Sequence, residues 1–443
     1  MRIAYIATGA AGMYCGTCLQ DNTLATALLA QGQDVVLIPT YTPTRTDREN
    51  VSLDKIFYGA INVYLQEKWP VFRRTPRFLD ALLDRPWLLN VLTKRAISAD
   101  ARDLGALTLS VLKGEDGNQK KELERLVAWL RDFRPEVVHL NQAMFAGMAR
   151  TLSRELGVPV VCALSGEDLF LEDLPEPYRT QARDEIRRGA ADVDAFTVTS
   201  GYYREFMSEY LQQPRERFHV VRLGIPTDGF APAPEGARAG EPFTVGYLAR
   251  VCPEKGLHLL LEAFRDLAQA AGSETVRLRV AGYLSKKDEA YFAEQKRRVE
   301  AWGLAHRVEF LGEVDREEKL RFLSSLDVLC VPTVYKEPKG LFVLESLASG
   351  VPVVLPRHGS FPELIELTGG GLLVEPQSSA LVAAGLRQMM DDGAAARREM
   401  GRRGREAVLA GFTDAAMARS VLRVYEAAVR AGEKKRAEPG QAA

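Results

Sequence analysis

Residues 326–356 read LDVLCVPTVYKEPKGLFVLESLASGVPVVLP, and two kinds of apolar pattern alternate along them. The apolar runs at 328–331 and 352–355 are short and continuous, as in strands that are buried on both faces of a sheet. Between them, Gly340 precedes apolar residues at helical spacing. The stretch is therefore predicted to form a strand, a helix and a second, parallel strand.

The same alternation continues on both sides of this stretch. Because repeated strands and helices build parallel sheets that are covered on both faces, we predict an α/β fold with two Rossmann-like, doubly wound domains. Ligands bind at the carboxyl ends of the strands in such sheets, so the site is expected in an interdomain cleft. The other predicted strands are Ile3–Ala7, Val35–Ile38, Val137–Leu140, Val160–Ala163, Phe196–Thr199, His219–Val221, Thr244–Tyr247, Leu278–Ala281, Val308–Leu311 and Leu372–Val374.

The length of 443 residues also favours two domains, since one hydrophobic core rarely serves so long a chain. Residues 226–242 hold four prolines and three glycines without apolar periodicity, which is typical of a linker. The predicted boundaries are an N-terminal domain at 1–225, the linker at 226–242, a C-terminal domain at 243–412, a helix at 413–431 and a disordered tail at 432–443.

Residues 41–125 do not follow the alternation, and they are predicted to be a helical insertion. Amphipathic helices packed on the first sheet are favoured over an acceptor-binding lid or a helix at a membrane surface. Peripheral membrane contact through this insertion stays open as an alternative.

The composition is that of an ordinary globular protein. A net charge of −1 argues against dependence on broad electrostatic attraction, so no nucleic-acid partner is expected. Five cysteines in so long a chain form no disulfide framework, and no apolar run reaches the roughly 20 residues of a membrane span. We therefore expect a cytoplasmic protein, with the inner face of the membrane as an alternative location.

Two carboxylates and a glycine turn mark the strand-to-helix junction in the opening stretch. Gly340 allows close approach of a ligand, and the amides of Leu341 and Phe342 begin a helix whose positive end suits a phosphate. Glu345, in that helix, has the reach to accept hydrogen bonds from a ribose, and Glu337, on the loop, is expected to face a sugar attached to the phosphates. The alternative is a solvated helix that carries two unrelated glutamates.

A second junction follows the first strand of the C-terminal half, where residues 249–256 read ARVCPEKG. Arg250 and Lys255 flank a tight turn, and two cations there can neutralise the charge of a leaving diphosphate. The alternative is a surface ion pair with Glu254. Both junctions follow strands of the same predicted sheet. We therefore favour the interpretation that their charged residues converge on one phosphate group.

These motifs resemble those of the retaining glycosyltransferases with the GT-B fold, glycosyltransferase family 4. Arg250 and Lys255 stand where that family's GRL-x-x-x-KG segment binds the donor pyrophosphate. The VEFLG segment at 308–312, which ends in Gly312, resembles the one beside the nucleobase. Glu337 resembles the glutamate near the transferred sugar, and Glu345 the one that binds ribose. The GVPVV segment at 350–354 and the GLLV segment at 371–374 are also similar.

The sequence departs from the family pattern at several positions. Lys339 replaces a frequent Phe. The usual D-V-x-H-x-H segment reads EVVHLN, so that His139 is present and Asn141 replaces the second histidine. Ser165 stands in place of the histidine in T-x-H-G. Donor recognition is therefore better preserved than the acceptor side, where His139 and Asn141 remain candidates.

Near the amino terminus, residues 9–18 read GAAGMYCGTC and join the first strand to a helix. In the family such a loop lines the cleft opposite the donor, which makes Gly9, Gly12 and Gly16 candidates. Their spacing is not G-x-G-x-x-G, and the second strand ends in Pro39 and Thr40 instead of an acidic residue for a ribose. Both features weaken an NAD-binding interpretation.

Cys15 and Cys18 form a lone C-x-x-C pair in this loop, a spacing that suits thiol redox chemistry at a helix start. A packed pair is the favoured interpretation. Asp192 and Asp194 resemble a metal-binding D-x-D, but they precede a strand, and the five histidines show no ligand spacing. No metal and no cofactor are expected.

The sequence thus predicts a hexosyltransferase-type enzyme that moves a sugar from a nucleotide-sugar donor to an unidentified acceptor, which is a glycan, a lipid or a small molecule. The resemblance implies retention of the anomeric configuration. Two alternatives stay open: a dinucleotide- or thiol-dependent oxidoreductase that uses the N-terminal glycine and cysteine loop, and a nucleotide-sugar-binding protein without turnover.

Overall fold

The computed structural model describes residues 1–9, 16–44, 46–53, 57, 66–67, 101–234, 236 and 240–437. These residues group into two compact units. The first unit contains residues 1–222 together with the chain from Met417 onward, and the second unit contains Leu223–Ala416. The predicted linker therefore falls within the second unit, and the C-terminal helix groups with the first.

The first unit contains a six-stranded sheet in which every neighbouring pair is parallel, with the order β2-β1-β3-β4-β5-β6. From β1 the chain moves to one side to form β2 and then crosses to form β3 on the other side. The gap between β1 and β3 is thus the topological switch point, where ligands bind in open α/β sheets. The strands are β1 (Arg2–Ala7), β2 (Asp34–Pro39), β3 (Val137–Leu140), β4 (Val160–Ala163), β5 (Ala195–Val198) and β6 (Phe218–Val220).

The second unit repeats this plan with the strand order β12-β11-β10-β7-β8-β9, again parallel throughout. Its switch point lies between β7 and β10. All six residues of β7 are buried, as expected for a central strand covered on both faces. The strands are β7 (Phe243–Leu248), β8 (Val276–Ala281), β9 (Val308–Gly312), β10 (Val328–Cys330), β11 (Val353–Pro356) and β12 (Gly371–Val374). The predicted pair of doubly wound sheets is confirmed.

Helices connect the strands in both units. In the first unit the described helices are α1 (Gly16–Ala30), α2 (Ala101–Leu112), α3 (Lys120–Phe133), α4 (Ala149–Leu156), α5 (Glu167–Glu172), α6 (Tyr178–Ala190) and α7 (Gly201–Tyr210). In the second unit they are α8 (Leu257–Ala271), α9 (Glu289–Ala301), α10 (Arg316–Ser324), α11 (Leu341–Ala348), α12 (Phe361–Thr368), α13 (Ser379–Asp391) and α14 (Gly393–Gly411). The last helix, α15, spans Asp414–Ala437.

The predicted end of the C-terminal helix differs from the structure. Helix α15 continues to Ala437, so residues 432–437 are helical and not part of a disordered tail.

Within the predicted insertion at 41–125, helix α2 packs on α6, since a Cβ added at Gly105 would lie 2.4 Å from the Tyr178 ring. Most of the remaining insertion lies outside the described residues. Of the helices described, none has the length and apolarity to cross a membrane.

Candidate functional site

The loops that follow β7 and β10 meet at the switch point of the second sheet. Gly256 adopts a φ of +72°, and a Cβ there would lie 1.9 Å from the carbonyl oxygen of Pro332. Only glycine therefore allows the turn after β7 to approach the chain after β10 so closely. The amide of Val334 donates to the carbonyl of Glu254 at 2.8 Å and fixes the two loops together.

This approach places Lys255 against Glu337. Lys255 Nζ lies 2.6 Å from Glu337 Oε2 and also 2.6 Å from the hydroxyl of Tyr335. The Tyr335 hydroxyl donates to the same carboxylate oxygen. The ammonium lies 4.9 Å from the centre of the Tyr335 ring and 5.7 Å from that of Phe342. The sequence predicted both charged residues at the site, and the structure brings them into direct contact.

Glu337 is held in its charged form although it is only 5% exposed. Burial by itself would raise the pKa of this carboxyl, but the Lys255 ammonium, the Tyr335 hydroxyl and the Gly340 amide outweigh it, and the pKa is lowered. The site therefore contains a buried carboxylate that is ionised at neutral pH and paired with a cation.

Arg250, on the loop after β7, is an exposed cation at the same end of the second sheet. Its Nε donates to Cys252 Sγ at 3.4 Å, and its carbonyl accepts from the Tyr247 hydroxyl at 3.0 Å. Within the described residues its guanidinium forms no ion pair with a carboxylate. The alternative interpretation, an ion pair between Arg250 and Glu254, is therefore not observed. Its remaining N–H groups are available to an anion.

Helix α11 begins beside this cluster. Gly340 precedes it with a φ of +73°, and a Cβ at that position would lie 2.8 Å from Leu364. Leu341 and Phe342 are its first residues, as predicted. The first amides of a helix lack acceptors within it, and the helix dipole makes them attractive to an anion.

Glu345 lies further along α11 in a separate ion pair. Its side chain is 8% exposed, and its Oε1 accepts from Lys319 Nζ at 2.7 Å. The structure thus places Glu345 against Lys319 of α10 and not in the Lys255 cluster. Gly312, at the end of β9, is exposed, and its carbonyl accepts from the Gly282 amide at 2.7 Å.

The two candidates at the carboxyl end of β3 in the first sheet are buried. His139 and Asn141 are each 1% exposed. Asn141 Nδ2 donates to Asp21 at 2.7 Å, and His139 Nδ1 lies 2.7 Å from the Tyr425 hydroxyl of α15. His139 Nε2 and Asn141 Oδ1 are buried and have no hydrogen-bond partner among the described residues. The assignment of these two residues to the ligand cleft stays a prediction.

The predicted glycine loop is described only in part. Gly9 has a φ of +81°, and a Cβ there would lie 1.9 Å from the Thr42 carbonyl oxygen. Gly16 is the exposed first residue of α1. Gly12 lies outside the described residues, as does Cys15, while Cys18 is buried in α1. The C-x-x-C pair therefore stays a prediction.

A cavity of about 380 Å³ lies near the carboxyl ends of β1 to β4. Apolar side chains of α2, of the segment after β3 and of α5 supply most of its wall. Its position at the switch point of the first sheet is the one at which a ligand is expected. The lining residues are Thr8, Tyr41, Leu107, Thr108, Val111, Gln142, Met144, Glu167 and Phe170.

Sequence reasoning missed Tyr335, Lys319 and Gly359. A Cβ at Gly359 would lie 2.5 Å from the Glu337 carbonyl oxygen, so this glycine allows a second loop to pack on the site. Tyr335 stands two residues before Glu337, and that proximity was the available signal. Lys319 gave no signal, because it lies 26 residues from Glu345 on another helix.

The aspartates of the D-x-D triplet have structural partners. Asp194 accepts from the Val160 amide at 2.9 Å, and Asp192 pairs with Arg150 at 3.2 Å on the surface. In the part of the chain that the structure describes, no cluster of three or more histidine, cysteine, aspartate or glutamate residues is arranged to hold a metal ion.

The two units match two family models. Residues 233–407 match the model for glycosyl transferases group 1, and residues 22–224 match that for the glycosyl transferase 4-like domain. The chain is 28% identical to glycogen synthase of Mycobacterium tuberculosis over 306 residues, which cover 69% of this chain and 71% of that enzyme. It is 29% identical to a GDP-mannose-dependent alpha-(1-6)-phosphatidylinositol monomannoside mannosyltransferase of the same organism, over 64% of this chain and 71% of the relative.

Solved structures show the same fold. Sucrose-phosphate synthase of Thermosynechococcus elongatus matches with a TM-score of 0.70 at 19% identity, over 97% of this chain and 100% of that chain. Anabaena HepE, solved with UDP and glucose, matches with a TM-score of 0.67 at 16% identity, over 96% of this chain and 100% of that one. The alternative of an oxidoreductase finds no support. The chain belongs to the group 1 glycosyltransferases, has their GT-B fold and is a glycosyltransferase enzyme.

Proposed function

We propose that the second unit binds a nucleotide-sugar donor at the switch point between β7 and β10, with its diphosphate held by Arg250 and Lys255. The observation that carries the proposal is the convergence there of an exposed guanidinium, an ammonium and the start of α11. Arg250 offers planar N–H groups that suit a phosphate, and the amides of Leu341 and Phe342 share its charge. Gly340 allows the ligand to approach.

The same groups lower the barrier to transfer. When the anomeric bond breaks, negative charge grows on the leaving diphosphate, and preorganised cations and amides stabilise it without a metal. The sugar gains positive charge, which the ionised Glu337 carboxylate stabilises. Transfer proceeds with retention of the anomeric configuration. Glu345 binds the ribose with the oxygen that Lys319 does not occupy, and Gly312 lies beside the nucleobase.

The acceptor is a glycan, a lipid or a small molecule that binds at the edge of the first sheet. Support comes from the cavity of about 380 Å³ near the ends of β1 to β4, whose wall includes Thr8, Gln142 and apolar residues of α2. Relatives act on different acceptors, since one is a glycogen synthase and another a phosphatidylinositol monomannoside mannosyltransferase. An acceptor with hydroxyl groups beside an apolar part suits this lining.

Nucleoside diphosphate release from UDP-glucose, GDP-mannose and ADP-glucose tests the proposal, with and without a panel of glycan, lipid and small-molecule acceptors. We expect one donor class to be consumed, a product that keeps the donor's anomeric configuration by NMR, and unchanged rates in EDTA. Glu337→Gln should lose at least 100-fold in rate, as removal of a preorganised electrostatic group does. Release from no donor, or equal rates for the variant, would overturn the assignment.

A further inference from the structure

Tyr335 joins the two charged groups of the donor site through one oxygen atom. Its hydroxyl accepts from Lys255 Nζ at 2.6 Å and donates to Glu337 Oε2. Its ring also lies under the ammonium, 4.9 Å from Nζ. Burial, together with the adjacent Glu337 charge, raises the pKa of Tyr335 well above its ordinary value, so the hydroxyl stays protonated and continues to donate.

The hydrogen bonds of Glu337 show why this contact matters. Its Oε2 has the two short contacts to Lys255 and Tyr335, while its Oε1 accepts at 3.3 Å and 3.4 Å from the amides of Lys339 and Gly340. A buried carboxylate is costly without strong partners. If Lys255 turns toward a diphosphate, the Tyr335 hydroxyl is the partner that still bonds to Oε2.

We propose that Tyr335 is a positioning residue that lets Lys255 serve the donor diphosphate, because its hydroxyl keeps Glu337 hydrogen-bonded when the ammonium turns away. This inference rests on the donor site proposed above. Without the hydroxyl, Glu337 depends on Lys255 and holds the ammonium back from the phosphates. Tyr335 itself touches no reacting atom, and its effect passes through Lys255.

Tyr335→Phe keeps the ring and removes only the hydroxyl. We expect the variant to bind the nucleoside diphosphate about tenfold more weakly, the loss of one hydrogen bond to a charged group. Binding of the corresponding nucleoside monophosphate should change less than about twofold, since Lys255 is assigned to the diphosphate. The preference for diphosphate over monophosphate therefore falls, which a general loss of structure would not cause.

A matched control exists in the first unit. There the Tyr210 hydroxyl donates to Glu172 at 2.9 Å, and Arg183 pairs with the same carboxylate, so this trio also joins a tyrosine hydroxyl, a glutamate and a cation. Its charged side chains are 35% and 39% exposed, and it lies outside the proposed site. Tyr210→Phe should leave both affinities unchanged.

The test is calorimetric titration of UDP, GDP, ADP and their monophosphates into the full-length wild type, Tyr335→Phe, Lys255→Met, the double variant and Tyr210→Phe. Titrations are run well below the lowest melting temperature of the set, so that every variant is folded. We expect the Tyr335→Phe effect on the diphosphate to vanish in the Lys255→Met background, because the two act through one contact.

Three results would overturn the inference: an unchanged diphosphate affinity in Tyr335→Phe, equal losses for diphosphate and monophosphate, or the same loss with and without Lys255. In each of these the wild type still binds a diphosphate, and the donor site stands. Failure of the wild type to bind any diphosphate would instead remove the donor site and this inference together.

Discussion

Both sheets carry a polar cluster near the carboxyl ends of their central strands, but the two clusters differ in their contacts and in their exposure. In the first sheet, Tyr5 donates to Asp21 at 2.8 Å, Asn141 donates to the same carboxylate at 2.7 Å, and His139 bonds to Tyr425. All five side chains are at most 2% exposed. The cluster is enclosed, and it fixes helix α15 to the first sheet.

In the second sheet the corresponding cluster is ionic and reaches the surface. Lys255 forms an ion pair with the buried Glu337, and Arg250 beside them is exposed. Hydrogen bonds within an enclosed cluster favour one folded arrangement, whereas an exposed cation next to an ion pair can exchange partners with a ligand. We therefore expect the first cluster to stabilise the fold and the second to bind a ligand.

The largest effect is expected from breaking the second cluster. Lys255→Met leaves the Glu337 charge buried without its cation, and this should lower the free energy of unfolding by about 3 to 4 kcal/mol. Chemical denaturation of the full chain measures it.

Arg183→Met is the matched control in the first unit, because the Arg183–Glu172 pair is more than a third exposed. Its loss should cost at most about 1 kcal/mol. Similar costs for the two variants would mean that the Lys255 pair is an ordinary surface contact.

A smaller effect is expected from the turn that brings the two loops of the second cluster together. Gly256→Ala introduces a side chain at positive φ against the Pro332 carbonyl, and we expect a loss of about 2 to 3 kcal/mol. Gly303 has a similar φ of +70° with nothing within 4 Å of an added Cβ, so Gly303→Ala should cost about 1 kcal/mol. Equal melting temperatures for the two variants would show that the close approach is not required.

The buried histidine of the first cluster should make the free energy of unfolding depend on pH. Burial lowers the pKa of His139 to about 3, so between pH 6.5 and 3 the unfolded chain binds more protons than the folded one. Its contribution to stability is complete above about pH 6.5 and is lost as the pH falls. Between about pH 6.5 and 5.5, the wild type should lose about 1 kcal/mol more than His139→Gln. Identical pH slopes in urea unfolding would contradict the burial of a neutral imidazole.

Much of the fold followed from sequence because each strand is buried on both faces and therefore reads as a continuous apolar run. Thr244–Tyr247 was predicted as a strand, and the structure extends it by one residue at each end, to Phe243–Leu248. Lys255, Glu337 and Gly340 were found because charged residues and glycines stand out at strand ends. Contacts between distant positions were not predictable: Tyr425 lies 286 residues from His139, and no pattern in the sequence indicates their hydrogen bond.

Substitution of Arg250 should have the smallest effect on stability. It also tests most directly the proposal that the second sheet binds a diphosphate. Because its guanidinium is exposed and forms no ion pair among the described residues, Arg250→Ala should change the unfolding free energy by no more than about 0.5 kcal/mol. Arg277→Ala, at an exposed arginine near the amino end of β8, is the control.

The measurement is calorimetric titration of UDP, GDP, ADP and NAD into the wild type and these two variants. We predict that one nucleoside diphosphate binds the wild type and that Arg277→Ala binds it normally. Arg250→Ala should bind it at least tenfold more weakly, as expected for the loss of a charge-assisted hydrogen bond. Equal affinity in Arg250→Ala and the wild type, or binding of NAD alone, would contradict a diphosphate site at the switch point of the second sheet.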